Sequence, residues 1–181
     1  MRVISGKYGG QRLVSFKADH IRPTTDQTKE SIFNRLVQAF GESRVLDLYS
    51  GTGSLGIEAL SRGARLVTMV EKNAKSVKII KENLAKLKIT EGIELKAVDV
   101  FSFLKGYEGE PYDILLVDPP FTEALAHATL ESIAKSKVWK PQTQIVIESG
   151  QKEKLLDLYS PFRCVNRKDF GDKKVSFFTC E

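Results

Sequence analysis

Four consecutive residues, Asp118-Pro119-Pro120-Phe121, carry the most legible chemistry in this sequence. They follow the apolar run Ile114-Leu115-Leu116-Val117, whose unbroken hydrophobicity suits a strand buried on both faces. Two prolines remove amide donors and stiffen the backbone, so the segment presents acceptors only. A phenyl ring follows that can stack on a flat base. The exocyclic amine of a nucleobase is a poor nucleophile because its lone pair is delocalised into the ring. Acceptors that bond both of its N–H groups favour a pyramidal nitrogen, and the Asp118 carboxylate and Pro119 carbonyl can supply them. Asp118, Pro119, Pro120 and Phe121 are therefore the candidate catalytic residues. The competing reading is a rigid loop after a buried strand.

A second constellation runs Asp47-Leu48-Tyr49-Ser50-Gly51-Thr52-Gly53-Ser54-Leu55-Gly56. It follows a short apolar strand, opens a helix, and matches the glycine spacing of nucleotide-binding loops. Glu71 stands 20 residues after Gly51, at the end of the next strand, where an acid can accept both hydroxyls of a ribose. NAD and S-adenosylmethionine both fit that arrangement, and two features favour the latter. Asp47, at the strand tip, would face a pyrophosphate badly but suits an ammonium. Asp99, after the third strand, can accept from an adenine amine, with a helix N-cap as its alternative role. The candidate cofactor residues are Asp47, Tyr49, Gly51, Gly53, Glu71 and Asp99.

These residues need a scaffold that brings strand ends together, and the hydrophobic pattern supplies one. Strands are expected at 44–48, 66–71, 93–98, 113–118 and 143–148. Helices are expected at 54–62, 74–87 and 125–135, and a short one at 100–104. In the helix over 74–87, Val77, Ile80, Leu84 and Leu87 mark the inward face. Alternation of this kind builds a mostly parallel, doubly wound sheet. Two further strands, 162–170 and 174–180, flank the turn Gly171-Asp172-Lys173, too short for a parallel crossover, so that pair must be antiparallel. Upstream, β-prone runs around Gly9-Gly10 predict an N-terminal hairpin. Thr24 and Gln27 have capping-box spacing, and Ile32, Phe33, Leu36, Val37 and Phe40 mark one face of a helix. The expected organisation is one domain over 1–181, with a hairpin extension over 1–26 and an α/β core over 27–181.

The formal net charge is +5, and it is uneven. Residues 1–35 hold seven Lys/Arg against three acids, while the rest of the chain is nearly neutral. A basic N-terminal segment on a neutral body suits a polyanion, and a solubilising surface is the alternative. Arg2, Lys7, Arg12, Arg22 and Thr24 are the candidate polyanion-contacting residues of that segment; for Arg22 the competing role is a helix-entry pair with Asp26. His20, beside it, reads as a surface histidine. Cys164 and Cys180 form no ligand pattern, so no metal is expected, and a disulfide between them would require their strands to pair. No apolar run is long enough for a membrane span or a signal peptide, which leads us to expect a cytoplasmic protein. Nothing demands an oligomer, and a monomer is expected. Trp139 and Tyr112 read as packing residues, His127 carries no expected catalytic role, and Asn34 has no assignment.

Asp118-Pro119-Pro120-Phe121 matches the [DN]PP[YF] motif of amino-methyltransferases, with Phe where Tyr is usual. More narrowly, four stretches resemble bacterial 16S rRNA guanine-N2 methyltransferases of the RsmD type. They are Arg2–Gly6, Gly10–Leu13, Arg22–Asp26 with Glu30 and Phe33-Asn34, and Leu55–Ala64. The resemblance covers nearly the whole chain. It implies a Rossmann-like methyltransferase with a seven-stranded, mostly parallel sheet and an antiparallel closing strand. It also implies S-adenosylmethionine as methyl donor and a guanine of small-subunit ribosomal RNA, alone or within the subunit or an assembly intermediate, as target. An acceptor-only carboxylate agrees with guanine, which offers N1–H and the N2 amine side by side. Rival readings are a DNA or other RNA amino-methyltransferase, a dehydrogenase, or a non-catalytic RNA-binding module on the same fold.

Overall fold

The structure, a computed structural model, describes residues 1–15, 26–36, 40–121 and 124–180. After a short hairpin come α1 (Asp26–Arg35), β1 (Arg44–Leu48), α2 (Ser54–Ser61), β2 (Leu66–Val70), α3 (Ala74–Lys86), β3 (Ile93–Lys96) and α4 (Val100–Gly106). They are followed by β4 (Ile114–Val117), α5 (Ala126–Ala134), β5 (Gln144–Gly150), β6 (Leu158–Tyr159), β7 (Phe162–Phe170) and β8 (Lys173–Cys180). Among the described residues the strands form one sheet in the order β3-β2-β1-β4-β5-β8-β7-β6. β1 to β5 are parallel; β8 runs antiparallel to β5 and β7 to β8. The sheet is thus the expected one with an eighth, two-residue strand, β6, added at its edge. Too short to show an alternating pattern, β6 exists because it pairs with β7.

Apolar side chains on the two faces make two cores. One gathers Ile32 and Phe33 from α1, Ile57 from α2 and Ile80 from α3; the other gathers Val100 and Leu104 from α4 with Leu130 and Ile133 from α5. The helices therefore lie on both faces, and the chain reverses direction across the sheet between β1 and β4. In α3, Ile80 and Leu87 are buried while Val77 and Leu84 are half-buried. Leu36 and Phe40 are buried beyond the end of α1, and Val37 lies outside the described residues. Tyr112 is buried with its hydroxyl donating to Thr68 Oγ1, and Trp139 packs edge-on against Phe162, so both are packing residues. His127 Nδ1 meets the Tyr159 hydroxyl at 2.7 Å, and its amide donates to Glu153 Oε1. Asn34 lies on the exposed side of α1. β7 and β8 do pair, but Cys164 faces Phe178 and Cys180 faces Phe162, so the two cysteines do not stand opposite one another, and the Cys164 thiol donates to Asn166 O.

The N-terminal hairpin forms as an isolated bridge, Arg2 to Arg12, flanked by backbone bonds from Val3 N to Gln11 O and from Gly10 N to Val3 O. Its fixture is a buried ion pair. Lys29 on α1 and Glu58 on α2 have side chains with 0% exposure and an Nζ–Oε2 distance of 3.1 Å. Lys29 Nζ also donates to Arg2 O and Ser54 Oγ. Glu58 accepts from the amides of Ile4 and Ser5 and from Arg62 Nε. Burial pushes the Lys29 ammonium below its usual value, with Glu58 opposing that shift. The hairpin, α1 and α2 are thereby locked together by one carboxylate.

Removing one member of a buried pair leaves an uncompensated charge. Glu58→Ala is therefore expected to cost about 3–5 kcal/mol in urea unfolding and to deprotect the Ile4 and Ser5 amides in hydrogen exchange. A loss below about 1 kcal/mol, with protection kept, would show the hairpin to be held by its apolar contacts alone.

Candidate active site

Parallel strands deliver their carboxyl ends to one edge of the sheet, and a crevice forms where the strand order reverses. Here the reversal falls between β1 and β4, whose tips carry Asp47 and Asp118; Glu71 and Asp99 follow β2 and β3 on the same edge. The sequence-derived residues Asp47, Tyr49, Gly51, Gly53, Glu71, Asp99 and Asp118 to Phe121 are all brought to that edge.

The glycine loop is fixed from several sides. Gly53 takes φ 79° at the start of α2, a left-handed conformation glycine adopts without a Cβ penalty. Glu71 Oε2 accepts from Gly51 N at 2.9 Å and Oε1 from Asn73 N at 2.7 Å, so the acid after β2 holds the loop that faces it. Asn83 of α3 is buried and donates to Thr52 O and Val14 O while accepting from Val14 N, which fastens the loop to the end of the hairpin. Tyr49 has φ 61°, unusual for a residue with a side chain, and its hydroxyl meets Thr129 Oγ1 at 2.9 Å. Strain of this kind persists where surrounding contacts over-determine it.

Asp47 is 1% exposed. Its Oδ2 accepts from Gly56 N at 3.0 Å, and its Oδ1 is buried without a hydrogen-bond partner among the described residues. A Cβ on Gly56 would come within 2.8 Å of Oδ2, so only glycine lets the helix approach this closely. Burial pushes the Asp47 carboxyl up to about 7, against the stabilising bonds from Gly56 and Ser50. Asp99 caps α4 through Oδ1, which accepts from Phe101 N and Ser102 N, while its Oδ2 lies 3.6 Å from Lys72 Nζ. The capping role is thus realised, and the second oxygen still faces the edge's solvent.

Asp118 is half-buried, with its amide donating to Leu48 O at 3.3 Å. Pro119 is buried, Pro120 exposed, and Phe121 is 38% exposed for so large an apolar side chain. The basic candidates separate from this edge. Arg2 pairs with Asp26 at 2.9 Å, taking the partner that the sequence reading gave to Arg22. Lys7 and Arg12 are exposed on the hairpin, Lys7 lying 5.3 Å from the Tyr8 ring centre. Lys17, His20, Arg22 and Thr24 lie outside the described residues. Two charged residues at the edge escaped the sequence reading: Glu148, on the last turnless stretch of β5, and Lys173, at the start of β8. Glu148 ends a predicted parallel strand and was in principle findable on that ground. Lys173 reads as a turn residue, and only strand pairing reveals its place.

With this strand order and acidic residues at or after the ends of β1, β2, β3 and β4, the fold is that of the Rossmann-like methyltransferases. The chain belongs to the family described as Conserved hypothetical protein 95, whose profile matches residues 1–179. It is similar to the ribosomal RNA small subunit methyltransferase D of Haemophilus influenzae, with 34% identity over 158 residues covering 86% of this chain and 82% of that one. It is also similar to the ribosomal RNA small subunit methyltransferase D of Buchnera aphidicola, with 33% identity covering 85% and 80% respectively. The solved structure of the Escherichia coli protein yhhF matches with a TM-score of 0.88 at 30% identity, covering 100% of this chain and 98% of that one. No helix among the described residues is long and apolar enough to cross a membrane.

A carboxyl raised above its ordinary value holds its proton more tightly in the folded protein than in the unfolded chain. The contribution of Asp47 to stability is then fully present below about pH 4, is lost as pH rises towards 7, and is level above. Asp47→Asn removes the buried charge at nearly constant shape. The variant is expected to be more stable than the parent by roughly 2–4 kcal/mol at pH 8 and equal to it at pH 4, in chemical denaturation at both pH values. Equal stability at pH 8 would show that the Asp47 carboxyl ionises without penalty.

Proposed function

We propose that this chain transfers a methyl group from S-adenosylmethionine to the N2 amine of a guanine in 16S ribosomal RNA, acting in the cytoplasm on the small subunit or an assembly intermediate. The observation that supports this best is the pairing, on neighbouring strand tips, of a buried carboxylate oxygen lacking a donor with an acceptor-only loop ending in an exposed ring. Names of the relatives support the RNA class.

In this reading Asp47 Oδ1 accepts from the cofactor's ammonium, Glu71 from its ribose hydroxyls and Asp99 from its adenine amine. Gly51 and Gly53 bring the backbone close, and Tyr49 shapes the wall beside them. The cofactor supplies a methyl group on a sulfonium, an electrophile that needs no further activation. The protein's work is on the nucleophile. A guanine turned out of its stack rests on Phe121, while Asp118 and the Pro119 carbonyl accept from the amine. Pro120 keeps that loop rigid. Methylation would place positive charge on that nitrogen, where Asp118 and the Pro119 carbonyl would stabilise it until its proton passed to solvent. Orientation of the two reactants provides much of the remaining acceleration. Arg2, Lys7 and Arg12, with Arg22 and Thr24 beyond the hairpin, bind RNA phosphates and steer the substrate.

The experiment is methyl transfer from labelled S-adenosylmethionine to small ribosomal subunits from cells lacking the protein, with nucleoside analysis of the product. N2-methylguanosine is the expected product, and label in another nucleoside would refute the guanine assignment. Asp118→Ala should lower turnover at least about a hundredfold while the cofactor dissociation constant stays within about twofold. Activity within a few-fold of the parent would remove Asp118 from the chemistry. Lys7→Ala with Arg12→Ala should raise KM for the RNA substrate about tenfold at moderate salt, and less as salt increases. A KM unchanged at every salt concentration would take the hairpin out of the RNA interface.

A further inference from the structure

Beside the acceptor loop lies a charged pair that neither the cofactor nor the amine requires. Lys173 opens β8 and faces Gly150, the last residue of β5, across the strands. Gly150 has no side chain, and the atom nearest to where its Cβ would stand is Phe121 Cβ. The ammonium reaches Glu148, two residues back on the same face of β5, and bonds its Oε2. The Lys173 side chain is 7% exposed and that of Glu148 1%. The same ammonium stands 6.0 Å from the centre of the Phe121 ring. A Cβ placed on Gly150 would lie 3.8 Å from Phe121 Cβ, so the root of the Phe121 side chain stands beside this strand end.

A buried ion pair rarely stabilises a protein more than an apolar pair of the same volume. Its presence here needs another reason, and the ring provides it. Phe121 projects from a rigid loop with its side chain partly in solvent, and an exposed aromatic has little to fix its plane. A cation near the ring face is attracted by its quadrupole. Glu148 holds that cation in place and cancels its charge. Cancellation matters because the nitrogen to be methylated becomes positive during transfer, and an unpaired ammonium nearby would oppose it.

We infer that Lys173, held by Glu148, is a positioning residue that sets the plane of Phe121 and so the plane in which the target base stacks. The inference rests on the stacking role given to Phe121 above.

The test is a double-mutant cycle on kcat/KM with small ribosomal subunits from cells lacking the protein, using Lys173→Met, Phe121→Leu and both together. Lys173→Met should lower kcat/KM about five- to tenfold in the parent and less than about twofold in the Phe121→Leu background. The dissociation constant for S-adenosylmethionine, measured by calorimetry, should not move, and Lys173→Arg should restore most of the loss. Because Lys173→Met leaves Glu148 buried alone, the cycle is repeated with Glu148→Gln and Lys173→Met combined, a neutral pair that should show the same coupling. Equal losses in both Phe121 backgrounds would overturn the inference, since Lys173 would then act elsewhere. If Phe121→Leu by itself left kcat/KM unchanged, the stacking role would fall, and the positioning role with it.

Discussion

Because β1 to β5 run in one direction, Asp47, Glu71, Asp99, Asp118 and Glu148 all emerge near the same edge of the sheet. Five carboxylates on one edge would repel one another if left to themselves. The structure answers four of them in three ways. Glu71 and Asp99 are occupied by backbone amides, Glu148 is neutralised by Lys173, and Asp47 has burial raise its pKa instead. Among the described residues Asp47 is the one of these left with a buried carboxylate oxygen lacking a partner.

The second constraint is the attachment of the hairpin. A buried Lys29–Glu58 pair is no more stabilising than apolar residues of equal volume would be, and it is costly to break. What it provides is registration. Glu58 reads the amides of Ile4 and Ser5, Lys29 reads Arg2 O and Ser54 Oγ, and Asn83 joins Val14 to Thr52 O. The hairpin and α1 are consequently tied to the first residue of α2 and to the glycine loop through one polar frame.

Much of the site was legible because it follows local rules. A buried strand must be apolar on both faces, a strand-to-helix turn of this kind needs Gly53 at positive φ, and two prolines after β4 permit little but an acceptor loop. The N-cap role of Asp99 is equally local, since a side chain two or three residues before free amides will bond them. Its sharing with Lys72 is not, because Lys72 reaches it from another strand tip. β6 was missed for a related reason: two residues carry no periodicity.

The sequence by itself determined the class of fold, the order of strands and helices, and which residues stand at strand tips, because hydrophobic period and turn chemistry are properties of neighbouring residues. Tertiary structure decided what those residues meet. Asp26 pairs with Arg2, which is 24 positions away, Lys29 with Glu58, and Lys173 with Glu148. Partner choice of this kind depends on which distant elements pack together and how deeply they are buried, and charge alone does not encode it. The same holds for Asp47, whose type and position are written in the sequence but whose raised pKa exists only once α2 and the sheet close over it.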